Sequence, residues 1–359
     1  MAEVFRKRLK NIRAKMKLRN TDAVLITKRE NYMYLSGFTG TSAVIYISFQ
    51  RAVLLTDFRY VEQAASQATD FEIIQYTGSL YDALNRLIEG DSTHRLSFED
   101  GHMTFFDYSE YSSKLKVEEM VPLGHVMEEL RRIKDESELV LIKEAVDIAD
   151  KVFTHILPFI KPGVAEIELA SEMEHHMRRL GATGPSFETI IASGKRASMP
   201  HGVASNKKIE YGDVITMDFG ALHQGYCSDI TRTVFLGKPD EELKKIYHIV
   251  LQANLKGLEA VRSEVTGREV DSLVRSFIAQ AGYDGRFGHG LGHGVGLEIH
   301  EEPSLSMRGD LVLRDGMVVT VEPGIYIPDL GGIRIEDMVV VRGEGADILT
   351  SSDKELIVL

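Results

Sequence analysis

The chain has 359 residues, enough to bury a large core and to divide into two domains. Its 42 basic against 54 acidic residues give a net charge of −12, which argues against nucleic acid or an anionic membrane as the main partner. A single cysteine, Cys227, excludes an intrachain disulfide and fits a reducing compartment, and no apolar run approaches the ~20 residues of a membrane span, so a cytoplasmic protein is expected.

The basic start, Arg6-Lys7-Arg8-Leu9-Lys10, lacks the apolar stretch that a secretory signal needs. Instead Phe5, Leu9, Ile12 and Met16 recur at helical spacing and predict an amphipathic first helix. Ala23 to Ile26, Ala43 to Ile47, Ala52 to Thr56, Glu72 to Gln75 and Leu96 to Phe98 read as strands, with helices near Arg59 to Ala65 and Leu80 to Ile88. This part holds no catalytic constellation, and its expected role is oligomer contact in a homodimer.

A boundary falls near Lys134, giving domains 1–133 and 134–359. Asp135 followed by Glu138 resembles a capping box, and Leu139, Ile142, Val146, Ala149 and Phe153 trace one helix face behind it. A second helix is expected from Ala165 to Leu180, with Ile167, Ala170, Met173, Met177 and Leu180 as its buried stripe. His175 and His176 within it are neighbours that diverge by about 100° and read as partly exposed helix residues. A β-type run from Ser186 to Ser193 leads to His201.

Next comes an internal repeat. Gly212-Asp213-Val214-Ile215-Thr216-Met217-Asp218-Phe219-Gly220 matches Gly316-Met317-Val318-Val319-Thr320-Val321-Glu322-Pro323-Gly324 in glycine, valine, β-branched residue, threonine, acid and glycine. The repeat predicts two related hairpins across a pseudo-twofold axis, the period of two putting Asp218 beside Thr216 and Glu322 beside Thr320, opposite an apolar face. After a turn each acid is followed by a second: Asp229 in Cys227-Ser228-Asp229-Ile230-Thr231, and Glu336 in Ile333-Arg334-Ile335-Glu336. Unpaired inward carboxylates cost several kcal/mol or must protonate, and divalent cations remove that penalty.

Between the repeats lies Phe287-Gly288-His289-Gly290-Leu291-Gly292-His293-Gly294-Val295-Gly296-Leu297-Glu298-Ile299-His300-Glu301. Alternate glycines disfavour a helix, and in extended chain His289 and His293 share a face. His300 has the opposite parity to His293 and reaches the same site only if the chain bends.

The segment His289 to Glu301 resembles the proline-peptidase signature, and the ordered set Asp218, Asp229, His293, Glu322, Glu336 resembles the dinuclear metallopeptidases of the pita-bread fold, which include aminopeptidase P, prolidase and methionine aminopeptidase. Asn31-Tyr32-Met33-Tyr34-Leu35-Ser36-Gly37-Phe38-Thr39-Gly40 is similar to the opening of the N-terminal domain of the proline-specific branch, so the likeness spans the chain. It implies an α/β (α+β) architecture: an N-terminal α/β domain of creatinase type that shapes the mouth of the active site, then a pita-bread catalytic domain. It implies an Xaa-Pro aminopeptidase acting on proline-containing peptides by attack of a metal-bridging hydroxide. A prolidase restricted to Xaa-Pro dipeptides is the nearest alternative, and a non-enzymatic protein-binding module the alternative of another class. Methionine aminopeptidase fits the N-terminal domain and the His-Gly-Leu-Gly-His segment less well, and the metal-free creatinase branch is disfavoured by a complete ligand set.

Carried over residue by residue, the resemblance has Asp218 chelate one ion, His293 and Glu322 hold the other, and Asp229 and Glu336 bridge them. Glu322 also relays a proton. His201 and His300 contact the substrate carbonyl or oxyanion and assist proton transfer to the proline nitrogen, while His289 and Tyr326 line the substrate pocket. The run from Ser186 borders the substrate's N-terminal side. Thr231 and Arg334, at short strand offsets from the acids, are expected to fix carboxylate orientation, with Arg334 also near substrate. A carboxylate-rich set with one imidazole and no sulfur suits manganese or cobalt better than structural zinc, with zinc or iron admitted. Singly, each acid would read as a turn, cap or solvated residue and each histidine as structural; Cys227 reads as a small buried hydrophobe. One departure bears on substrate length: after His300-Glu301-Glu302-Pro303, where several prolidases carry an arginine, stands Ser304, with Arg308 four residues on.

Overall fold

A computed structural model of the chain describes residues 2–359. Two compact units divide it, one running to Arg131 and the other starting at Arg132.

The first unit runs α1 (Ala2–Arg19), β1 (Ala23–Ile26), α2 (Arg29–Ser36), β2 (Val44–Ser48), β3 (Ala52–Thr56), α3 (Val61–Gln67), β4 (Glu72–Gln75), α4 (Leu80–Gly90), β5 (Arg95–Phe98), α5 (Phe105–Lys114), β6 (Glu119–Pro122) and α6 (Val126–Arg131). Its sheet has the order β4-β3-β2-β1-β5-β6, antiparallel from β1 through β3 and parallel elsewhere. Leu9, Ile12 and Met16 are buried as the stripe of α1 requires, and all of β1 is buried, as its unbroken apolar run implies for a central strand. The motif segment Asn31 to Gly40 is helical through Ser36, where Gly37 in the left-handed region ends α2. The buried Glu99 carboxylate holds the start of α2, accepting from the backbone of Thr27 at 2.6 Å and Lys28 at 2.8 Å and from Asn31 Nδ2 at 2.5 Å.

The second unit is built twice over. Its first half holds α7 (Glu136–Ile156), α8 (Glu166–Arg179), β7 (Gly184–Pro185), β8 (Ile190–Ser193), β9 (Val214–Phe219), β10 (Ala221–His223), β11 (Tyr226–Cys227) and β12 (Ile230–Phe235). The second half holds α9 (Glu241–Ala260), α10 (Gly267–Ile278), β13 (Gly292–Gly294), β14 (Glu301–Leu305), β15 (Val318–Val321), β16 (Gly324–Ile327), β17 (Gly331–Arg334), β18 (Asp337–Val341), β19 (Ala346–Ile348) and β20 (Ile357–Val358). Asp135 caps α7 by accepting from Ser137 and Glu138, whose carboxylate accepts from Asp135 in return.

Each half packs two helices on the apolar face of a sheet. Val152, Phe153, Met173 and Met177 meet Ile215, Met217 and Phe219 in one core. Val250, Val270 and Val274 meet Val319, Val321 and Val339 in the other. This is the α/β pita-bread arrangement that the family resemblance implied, with the repeat supplying β9 and β15 as matching strands.

Two details differ from expectation. In α8 the stripe uses Leu169, while Ile167 is 42% exposed, because six residues ahead of Met173 is about 120° around a helix. In the second repeat β15 pairs with β18, and β16–β17 form a separate small hairpin, so 331–334 do not return along β15. The first repeat is built likewise, β10–β11 interrupting β9 and β12. A local pattern shows strands but not their partners, and the inserted hairpins escape it.

Candidate metal centre

The interruptions place the acids. Asp218 ends the inner face of β9 opposite Thr231, and Glu322 follows β15; Asp229 and Glu336 immediately precede the returning strands β12 and β18. The two halves are stitched beside them: Glu336 N donates to Thr231 O at 3.1 Å, and Thr233 Oγ1 donates to Arg334 O at 2.8 Å. His293 sits mid-β13, between β14 and β15. Its flanking glycines are dictated by packing, since a Cβ on Gly292 would lie 2.0 Å from the Thr320 carbonyl and one on Gly294 2.4 Å from that of Glu302.

Potential ligand atoms of Asp229, His293 and Glu336 all lie within 4.8 Å of one another. His293 Nδ1 faces the Gly294 carbonyl at 3.1 Å, so it carries the proton and leaves the Nε2 lone pair free. That Nε2 is 3.5 Å from both Asp229 Oδ2 and Glu322 Oε1. Asp218 and Glu336 each have one oxygen held and one open. Asp218 Oδ2 accepts from Arg334 at 2.6 Å and Glu336 Oε2 from Thr231 Oγ1 at 2.7 Å. Asp218 Oδ1 and Glu336 Oε1 are buried with no hydrogen-bond donor.

Four carboxylates thus share a pocket with one guanidinium. Burial, then the charge of neighbouring acids, pushes Asp229 and Glu336 well above the usual carboxylate range. Burial raises Glu322 to about 8 against the opposing pull of Arg334. Burial lowers His293 to about 4, helped by His300, and lowers His289 to about 4, helped by Arg334. Neutral imidazole and orphaned carboxylate oxygens suit hard or borderline divalent cations, which would satisfy the open oxygens and neutralise the acids.

A cavity of about 490 Å³ opens in front of these residues. His201, His289 and His300 line it, with Phe187, Glu188 and Ser304. The bend that His300 needs is present, between β13 and β14, and its ring stands 4.4 Å from that of His293 at 72°. Tyr326 lies behind the wall: its hydroxyl accepts from Arg334 at 2.8 Å and meets His289 Nε2 at 2.8 Å. Arg334 also donates to Thr231 Oγ1 at 3.0 Å.

Residues 140–343 match the model of metallopeptidase family M24, and residues 8–133 that of the creatinase/prolidase N-terminal domain. The chain belongs to metallopeptidase family M24. It is 49% identical to an uncharacterized peptidase of Bacillus subtilis (strain 168), over 94% of this chain and 96% of that one. The solved structure of an Xaa-Pro dipeptidase from Bacillus anthracis shares 48% identity with a TM-score of 0.97, covering 99% of this chain and all of that one. That of an X-Pro aminopeptidase from Thermotoga maritima MSB8 shares 39% identity with a TM-score of 0.92, covering 96% and 100%.

For this M24 enzyme the fold gathers all five ordered ligand candidates, the three histidines and Arg334 around one cavity, with Thr231 buried behind Glu336 and Arg334. Cys227 is buried and Arg308 is exposed, outside the cavity lining. Sequence reasoning assigned no role to Thr320, whose hydroxyl accepts from His293 N at 3.0 Å and lies 3.4 Å from Glu322 Oε1. Its signal was the repeat, which aligns it with Thr216. Ser306, also at the cavity, carried no motif.

Proposed function

We propose that the chain is a dinuclear-metal Xaa-Pro aminopeptidase, with an N-terminal domain over 1–133 and a catalytic domain over 134–359. The observation that carries it is the pair of buried, donorless oxygens on Asp218 and Glu336 beside the His293 lone pair. Asp218, Asp229, His293, Glu322 and Glu336 hold two divalent ions, manganese or cobalt by the hardness of the set. Bound there, the ions supply an acidified water as nucleophile and polarise the scissile carbonyl.

The chain's own groups do the rest. Arg334 and Thr231 hold Asp218 and Glu336 in orientation through the bonds above. Glu322, 3.5 Å from His293 Nε2 at the cavity wall, takes and returns a proton. His201 and His300, on the cavity wall, donate to the developing oxyanion and deliver a proton to the proline nitrogen, a poor leaving group until protonated. His289, backed by Tyr326, walls the proline side.

Proline specificity is supported by the relatives' names, Xaa-Pro dipeptidase and X-Pro aminopeptidase. The dipeptidase reading stands second on the same names. The test is metal analysis joined to hydrolysis of matched Xaa-Pro and Xaa-Leu peptides, in wild type and Asp229→Ala. Two metal equivalents and metal-dependent Xaa-Pro cleavage, both lost in the variant, are expected. Activity indifferent to metal, or equal cleavage of Xaa-Leu, would overturn the reading.

A further inference from the structure

Three histidine-bearing stretches around the cavity are each gripped from behind by an ion pair with a buried acid: Glu166 with Arg196 near His201, Glu301 with Lys134 near His300, and Asp271 with Arg275 near His289. The third grip is the most direct. Asp271 and Arg275 stand four apart on α10, joined by two parallel bonds of 2.8 and 2.9 Å, with the Asp271 side chain fully buried. The same two side chains bind Phe287 to Leu291 along its length. Arg275 donates to Phe287 O at 2.6 Å and His289 O at 2.7 Å, and its guanidinium lies 4.3 Å from the Phe287 ring centre. Asp271 Oδ1 accepts from Leu291 N at 3.1 Å.

This segment belongs to no helix or strand, and Gly288 and Gly290 on either side of His289 leave its backbone loose. The carbonyls of Phe287 and of His289 itself take their donors from α10, while that of Leu291 accepts from Glu322 N at 2.8 Å. In front, His289 Nδ1 faces Gly290 O at 2.8 Å, so Nε2 accepts from Tyr326, which in turn accepts from Arg334, the partner of Asp218.

We infer that Arg275, oriented by Asp271, is a positioning residue for the reaction: it fixes the His289 backbone so that the imidazole stays against Tyr326 and at the cavity wall. The inference rests on the Xaa-Pro peptidase reading. Arg275 contacts none of the clustered acids, so metal content should not change when it is altered. Only a guanidinium spans Asp271 and two carbonyls at once; lysine reaches fewer.

The test is a cycle of kcat/KM on Ala-Pro-Ala for wild type, Arg275→Met, His289→Ala and the double variant, with metal content and Tm recorded. Arg275→Met is expected to lose about 10- to 100-fold, the scale of a misplaced wall group. Arg275→Lys should recover part of it, and the double variant should match His289→Ala within about twofold. Losses that multiply, or an Arg275→Met enzyme near wild type, would overturn the inference. If Arg275→Met does not fold, the same cycle with Arg275→Lys decides. Imidazole ¹⁵N shifts of His289 give a readout independent of substrate: the wild type should hold the Nδ1–H tautomer and Arg275→Met should not. Unchanged shifts sink the clamp even if wild type cleaves no Xaa-Pro peptide, an outcome that by itself fails the peptidase reading.

Discussion

Arg334 and Asp218 lie 116 positions apart in the chain and meet at 2.6 Å, the guanidinium reaching across from the second repeat to the first. Arg334 is buried, and although burial works to lower its pKa, Tyr326, Asp218 and Glu322 hold it well above its ordinary value. It is a permanent cation that leaves one oxygen of Asp218 open.

Replacing it should therefore be costly twice over. Removing one partner of a buried pair destabilises by about 3–5 kcal/mol, and the freed carboxylate would turn. Arg334→Met is expected to lower Tm and to reduce kcat by about 10²-fold, as seen for lost partners of metal ligands. Arg334→Lys should recover stability more than rate, since an ammonium lacks the fork that touches Asp218, Thr231 and Tyr326 together. Thermal melts and turnover on one Xaa-Pro peptide check this; a fully active lysine variant would contradict it.

His300 borders the cavity next to His293 but is not among the three groups that converge most tightly. His300→Ala is expected to lower kcat by about 10²-fold or more while both metal equivalents remain. Metal analysis decides between roles. Loss of one equivalent would make His300 a ligand.

The acids predict the pH dependence of metal binding. In the metal-free fold Asp229 and Glu336 are raised well above the carboxylate range and Glu322 to about 8, so the folded protein binds more protons there than the unfolded chain. A raised acid stabilises the fold only while protonated, so that stability is lost as pH climbs toward about 8. His293, lowered to about 4, is neutral through this range and adds no opposing proton. Cations must displace the protons, and affinity should rise with pH. Calorimetric titration with manganese from about pH 5.5 to about pH 8 should show tightening and net proton release, and the Tm gap between loaded and metal-free protein should widen. Affinity flat across the window would count against the coordination proposed.

Much of this site was legible because an inward acid on β9 and another just after β15 have no structural excuse, and because the same pattern occurs twice. The alternating apolar positions Ile215, Met217, Val319 and Val321 fall in the two cores as the period of two requires. Pairing was less legible. Nothing local to 331–334 says that it folds back on 324–327 rather than along β15. Ile167 looked buried because it is apolar, but only its angle about α8 decides. Asp271 and Arg275 drew no reading at all, since their partners, the backbone groups of a glycine-rich loop, leave no mark in sequence.

Substrate length turns on Ser304. It lies on β14 across from His293 and borders the cavity, its hydroxyl bonded to Ser306 at 2.9 Å. An arginine there would clamp a dipeptide's free carboxylate with a bidentate, charge-assisted pair of about 1.5–3 kcal/mol, which a hydroxyl cannot reproduce. Arg308, the nearest substitute in sequence, is exposed and outside the cavity lining. Without that clamp, a peptide continuing past proline loses nothing relative to a dipeptide, and Xaa-Pro-Yaa should be cleaved at least as well as Xaa-Pro. The comparison is kcat/KM for Ala-Pro against Ala-Pro-Ala with the same metal, and Ser304→Arg should shift the ratio toward the dipeptide by about tenfold or more. A strong dipeptide preference in the wild type would reverse the assignment to prolidase, and its loss in Arg308→Ala would show that Arg308 swings inward to bind the carboxylate.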